Sequence, residues 1–251
     1  HDPSDPTHYL ANVAVGQQTG QPEQNVAPAQ EGDANDPAGG GDPDPKPAYT
    51  HTLTHTRRVH GGRTCELMKR RNSPHRRTNP AADPTPGSIV PKAFGDLITA
   101  DYKVIDAGAY SRDGDTTALI MQDRFTRWIE CAPLPSRDAQ WTREALTRFL
   151  GTQTAPGILH SDGAAELQAA AHWCGLTHHV STPDRPQTNG VAEQAVGRVV
   201  EGTRCLLYQS GLSSGWWSWA ARCFCTLRNL SDKVRDDLTP YQLRHGVEFV
   251  G

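Results

Sequence analysis

The chain reads as an α/β protein: a five-stranded mixed sheet flanked by helices, preceded by an amino-terminal segment without fixed structure. Three observations predict this. Strand and helix patterns begin only at Phe94. From there three β-rich runs follow one another, then come a helical stretch and two short runs separated by another helix. About 155 residues remain after that point, ample for one α/β core.

Upstream, residues 1–48 hold eight prolines and eight acidic residues against the single Lys46. So little apolar material cannot offset the entropy of ordering the backbone, and the segment is expected to be disordered. Residues 49–93 reverse the sign, with nine Lys or Arg against Glu66 and Asp83, and read as a basic linker. The overall charge of −3 hides this asymmetry; a basic block beside a folded core suggests a polyanionic partner. Residues 94–246 form the core and 247–251 a tail. No apolar run approaches the roughly 18 residues of a membrane span. The six cysteines show no disulfide framework, which fits a reduced intracellular compartment. The chain does not begin with Met, so it reads as a piece of a longer product.

Taken in order, Leu97–Ile105 is the first strand, followed by a polar loop from Asp106 to Asp115. Thr117–Asp123 and Trp128–Pro133 are the second and third, joined by the turn Arg124–Arg127. Asp138 starts a helix in which Trp141, Ala145, Leu146, Phe149 and Leu150 recur at helical spacing, and Gly151 and Pro156 end it. Ile158–His160 is a short buried strand, Ala164–Trp173 a small helix and His178–Ser181 the fifth strand. The helix from Gly190 points Ala192, Val196, Val199, Val200, Thr203, Leu206 and Leu207 to a core, with Glu193 off the densest apolar stripe. Trp216–Asn229 is a later helix, and Pro240 follows it in a closing segment.

Three carboxylates stand out in this frame. Asp101 lies within the first strand, Asp162 ends the run Gly157–Asp162, and Glu193 opens the helix after the turn Pro186–Gly190. Read singly, each also fits a solvated surface acid, a turn residue or a helix N-terminal acid. Converging from strand ends and a helix start, they can hold two divalent cations over one phosphate, and hard oxygen ligands suit Mg²⁺ or Mn²⁺.

The surrounding words narrow the reading. FGDLITADYKV at 94–104, ALIMQDRFTRWIECAPL at 118–134, SDGAAEL at 161–167, TPDRPQTNGVAEQAV at 182–196 and LTPYQLRHG at 238–246 resemble the integrase catalytic domain of retroviruses and long-terminal-repeat retrotransposons. The resemblance covers roughly 94–246. It implies a ribonuclease-H-like fold and a DDE triad of Asp101, Asp162 and Glu193, which are both catalytic residues and ligands of two Mg²⁺ or Mn²⁺ ions. It implies DNA 3′-end processing and strand transfer, with element ends and target DNA as partners, a homo-oligomer when active, and a nuclear site of action in a eukaryote. Gln187, Asn189, Arg198, Arg76 and Arg77 are the candidate DNA contacts. Pro183–Gly190 is expected to be a mobile lip beside the site, although Asn189 and Gly190 also fit a turn and helix cap.

The resemblance also has departures. Gly163 stands where relatives commonly have Asn, and Gly197 and Val200 where many place Lys or Arg. An amino-terminal Zn²⁺ module would draw on His51, His55 and Cys65, but Gly62 stands where its first Cys is expected. Only His60 remains as a fourth ligand, and a tetrahedral site needs four, so the segment reads as a decayed remnant. The second reading of the whole chain is a catalytically inactive nucleic-acid-binding fossil or domesticated integrase module.

Overall fold

The computed structural model describes residues 54, 63–69, 89–152, 154–180 and 186–250. The acidic 1–48 segment, His51, His55, His60, Arg76 and Arg77 lie outside the described residues, as do the side chains of Gln187 and Asn189.

The elements run α1 (Arg63–Met68), β1 (Leu97–Val104), β2 (Thr117–Asp123), β3 (Ile129–Leu134), α2 (Ala139–Leu150), β4 (Ile158–Ser161), α3 (Ala165–Trp173), β5 (Thr177–Val180), α4 (Pro186–Ser210), a 3₁₀ turn (Ser214–Trp216), α5 (Trp217–Ser231) and α6 (Pro240–His245). The sheet order is β3-β2-β1-β4-β5. β1, β2 and β3 pair antiparallel, while β4 joins β1 and β5 joins β4 in parallel. This is the five-stranded mixed sheet and the ribonuclease-H-like order expected from the sequence.

Each face of the sheet carries its own apolar layer. One face packs α2 and α3 through Ile98, Leu119, Met121, Leu146, Phe149 and Leu167. The other packs α4 and α5 through Ile120, Ile129, Val199, Leu207, Trp217 and Phe224. β2 is buried along its whole length, so its apolar centre Ala118–Met121 shows no polar alternation. Asp138 caps α2 by accepting the Gln140 N–H at 2.8 Å, satisfying one orphan donor of the first turn. Trp141, expected in the core-facing set of that helix, is exposed. Thr142 turns inward in its place, its hydroxyl 2.5 Å from that of Tyr102. α4 and α5 approach so closely that a Cβ at Gly202 would run into the Phe224 ring. Thr239 and Gln242 form a capping box on α6, with Pro240 in its first turn.

Two elements correct the sequence reading. Of the expected mobile lip Pro183–Gly190, residues 183–185 lie outside the described residues and Pro186–Gly190 is the first turn of α4. A proline costs nothing at the start of a helix, where its missing N–H would have no intrahelical partner. Within the basic linker, α1 packs against α4 and buries Cys65 and Met68. Cys65 therefore behaves as a small core hydrophobe.

Candidate functional site

Strand register places the first two carboxylates. Asp101 pairs with Ile120, so it shares the face that α4 covers. Thr99 pairs with His160 across the parallel β1–β4 ladder. Two residues further along both chains the same register brings Asp101 beside Asp162, because side chains alternate with a period of two. Asp162 is half-buried just past β4, and its Oδ1 accepts the Ala164 N–H at 3.4 Å, at the entry to α3. Glu193, in the second turn of α4, is exposed.

Electrostatics links the three. The Asp101 carboxyl is pushed up from 3.8 to about 6, first by burial and then by the charges of Asp162 and Glu193. The Tyr102 backbone and Arg137 pull the other way. Burial is the larger cause, but the share that Asp162 and Glu193 add marks a local excess of negative charge. That excess and the all-oxygen donor set fit a hard divalent cation. Among the described residues, however, no group of three or more His, Cys, Asp or Glu forms a ready-made metal site; unscreened repulsion works against close approach of such a set.

Neighbouring groups have other work. Asp123 lies on the opposite face of the sheet, fully buried, where it accepts the Gly95 N–H at 3.0 Å, the Thr126 N–H at 2.6 Å and the Thr126 hydroxyl at 2.7 Å. It ties the β2–β3 turn to the entry of β1. Glu166 is engaged by Arg137 at 3.7 Å, and the same guanidinium lies 4.7 Å from the Tyr102 ring centroid. Ser161 Oγ stands 2.7 Å from His178 Nε2, a latch between β4 and β5 one residue before Asp162. Neither Arg137 nor the Ser161–His178 pair was singled out from the sequence. Their nearness to the carboxylates is created by strand pairing, which no local spacing announces.

The candidate DNA contacts fall into two groups. Gln187 and Asn189 lie on the first turn of α4. Arg198 is half-buried on α4, about 7–8 Å along the helix axis from Glu193 at 1.5 Å per residue. Gly197 faces open space: a Cβ there meets nothing within 4 Å. Among the described residues no helix is long and apolar enough to cross a membrane.

No protein-family profile matches the chain. A 118-residue stretch, 44% of the chain, is 27% identical to the retrovirus-related Pol polyprotein from transposon RE1 of Arabidopsis thaliana. The chain spans only 8% of that polyprotein's length. The retroelement resemblance read from the motifs thus recurs in a curated relative. Among solved structures, the catalytic core domain of HTLV-2 integrase in complex with magnesium aligns with a TM-score of 0.47 at 13% identity, covering 61% of this chain and 98% of that one. The catalytic core domain of BIV integrase aligns with a TM-score of 0.43 at 18% identity, covering 59% and 92%.

Proposed function

We propose that residues 94–246 are the catalytic domain of a retroelement integrase, a DDE-type polynucleotidyl transferase acting on DNA. The observation that carries this reading is the register-matched pair Asp101 and Asp162, with the Asp101 carboxyl pushed up first by burial and then by the charges of Asp162 and Glu193. Asp101, Asp162 and Glu193 would hold Mg²⁺ or Mn²⁺, whose bound ions clamp the attacking and leaving oxygens of an in-line displacement.

The chain's own contribution is position and charge. β1 and β4 are central, hydrogen-bonded strands, so their aspartates sit on a rigid support. The Ala164 N–H steadies the Asp162 carboxylate, and the Ser161–His178 contact holds the strand end that carries it. Glu193 projects from a 25-residue helix anchored at Gly202. In the reaction a water or DNA 3′-hydroxyl oxygen forms a new bond to phosphorus. The bond to the leaving 3′-oxygen breaks, and the nucleophile's proton passes to solvent.

Incubating the full chain with branched integration-intermediate DNA and Mn²⁺ tests the proposal. Strand rejoining should appear in the wild type and vanish in Asp162→Asn. A folded wild-type protein inert in this assay would overturn it. Gly163 and Gly197, standing where the resemblance expects Asn and a cation, favour one second reading, an inactive nucleic-acid-binding module. It predicts no Mn²⁺ binding by calorimetry, whereas the enzyme reading predicts binding that Asp162→Asn abolishes.

A further inference from the structure

Beside the carboxylates, the same face of the sheet ends in arginines drawn from four separate parts of the chain. Arg124 and Arg127 flank the β2–β3 turn, Arg198 comes from α4, Arg228 from the last turns of α5, and Arg235 from the loop beyond it. They form a graded wall: Arg228 is only 4% exposed, Arg124, Arg127 and Arg198 are half-buried, and Arg235 is exposed. Arg228 Nη1 donates to the Arg127 carbonyl at 2.9 Å, and Arg235 lies 4.9 Å from the Phe125 ring centroid.

Compensation for so much positive charge is sparse. Among the described residues Arg124, Arg127, Arg198 and Arg235 make no ion pair. Arg228 has one weak pair, Nε to Asp232 at 4.0 Å, and that carboxylate also accepts the Thr54 hydroxyl at 2.7 Å. The buried Arg228 Nε has no hydrogen-bond partner. The arginines also repel one another: Arg127 acts on Arg124, Arg198 and Arg228, and Arg235 acts on Arg127, with partial relief at Arg127 from Asp123, at Arg198 from Asp232 and Glu201, and at Arg228 from Asp232. Arg127 further sits at φ 62, a left-handed conformation that is strained for a non-glycine residue. Glycine or asparagine would serve the turn better. Burial, repulsion and backbone strain at one place all oppose stability, which points to a binding role.

We propose that this arginine cluster is a binding site for the phosphodiester backbone of nucleic acid, separate from the carboxylates. The guanidinium forks of Arg124, Arg127, Arg198 and Arg235 suit phosphate oxygens, which they can engage bidentately, while the buried Arg228 adds charge beneath them. Arg124 stands four residues along β2 from Ile120, the partner of Asp101, or about 13 Å at 3.3–3.4 Å per residue. At about 3.4 Å of axial rise per nucleotide in one strand, that is roughly four nucleotides from the reacting phosphate. The inference rests on the nucleic-acid reading above but not on catalysis: the cluster holds the strand whether or not the carboxylates act.

The test uses the full chain carrying Asp162→Asn, without divalent metal, and fluorescence anisotropy on a labelled DNA duplex between about 50 and 200 mM salt. Arg124→Gln, Arg127→Gly and Arg235→Gln should each weaken binding several-fold at low salt. Each should also reduce the slope of log affinity against log salt by about one. Arg127→Gly should keep or raise the melting temperature, so its binding loss is not loss of fold. Unchanged affinity and slope in folded variants overturn the proposal and leave the integrase reading standing. A wild type that binds no DNA sinks both. Tighter, arginine-dependent binding of polyglutamate than of DNA would assign the cluster to an acidic polypeptide and overturn the nucleic-acid assignment.

Discussion

The two faces of the sheet treat a buried aspartate in opposite ways. On the α2–α3 face, Asp123 is wholly enclosed and answered by three donors. On the α4–α5 face, Asp101 is partly buried beside two other carboxylates that lift its affinity for a proton. Burial is common to both, so it does not distinguish a structural acid from a functional one. The partners do: a carboxylate with its donors in place is finished, while one surrounded by like charge still lacks a counterion.

The largest expected effect is on chemistry. Asp162→Asn should lower strand transfer by about 10²-fold or more, because charge stabilisation of the transition state depends on that carboxylate. DNA affinity should stay level or rise, since a negative charge has left the neighbourhood of the phosphate. Equal activity in mutant and wild type would remove Asp162 from the site.

Next comes the structural member of the pair. Asp123→Ala leaves two buried N–H groups and a hydroxyl without an acceptor, costing about 3–9 kcal/mol at 1–3 kcal/mol per orphaned group. Chemical denaturation should show the midpoint falling steeply. A midpoint close to wild type would mean that water replaces the carboxylate and that the two faces differ little in what they ask of a buried acid.

Asp101→Asn should move stability the other way, and only above a certain pH. The folded-state pKa is raised from 3.8 to about 6, so the folded protein binds this proton more tightly than the unfolded chain. Stability therefore falls as pH rises through that window and stays reduced above it. Removing the charge should raise the melting temperature above about pH 6 and leave it unchanged below about pH 4. A uniform shift at all pH values would assign the effect to packing.

The smallest effect tests the open ground between the carboxylates and the arginines. Gly197→Lys meets no obstacle and replaces a poor helix former, a gain of about 0.5–1 kcal/mol. It restores a cation one turn beyond Glu193, and the salt slope for DNA should steepen by about one. An unchanged slope would place the DNA path away from this side of α4.

Much of the scaffold was legible because it obeys local rules. β2 was read to the residue, since turn signals bound it and its apolar run has no interruption. Trp128–Pro133 was displaced by one, because Trp128 resembles a strand residue but belongs to the turn. The start of α4 was missed because Pro-Gln-Thr-Asn-Gly spells a turn in isolation and only the following apolar stripe extends the helix back over it. α1 was missed for the same kind of reason: Arg63–Met68 gains its helix from burying Cys65 and Met68 against α4. Asp101, Asp162 and Glu193 were singled out by the words around them, and they remain the proposed site. The arginine cluster was not, apart from Arg198, because its members lie up to 111 positions apart in sequence (124 to 235) and meet only through the fold.

The outer rim of β3 has a consequence for how copies of this chain can meet. It is a sheet edge, which ordinarily offers a ladder of backbone groups to any passing strand. Here the Asn229 side chain accepts from the Ile129 N–H at 3.0 Å and donates to the Ile129 carbonyl at 2.8 Å. Two residues on, the Cys225 sulfur is hydrogen-bonded to the Cys131 backbone, and two further on Pro133 has no N–H to give. A helix has thereby imitated the next strand, one side chain at a time, and closed that border to templating. Among the described strands, the border left open to strand addition is the four-residue β5 at the opposite side of the sheet, too short to nucleate much.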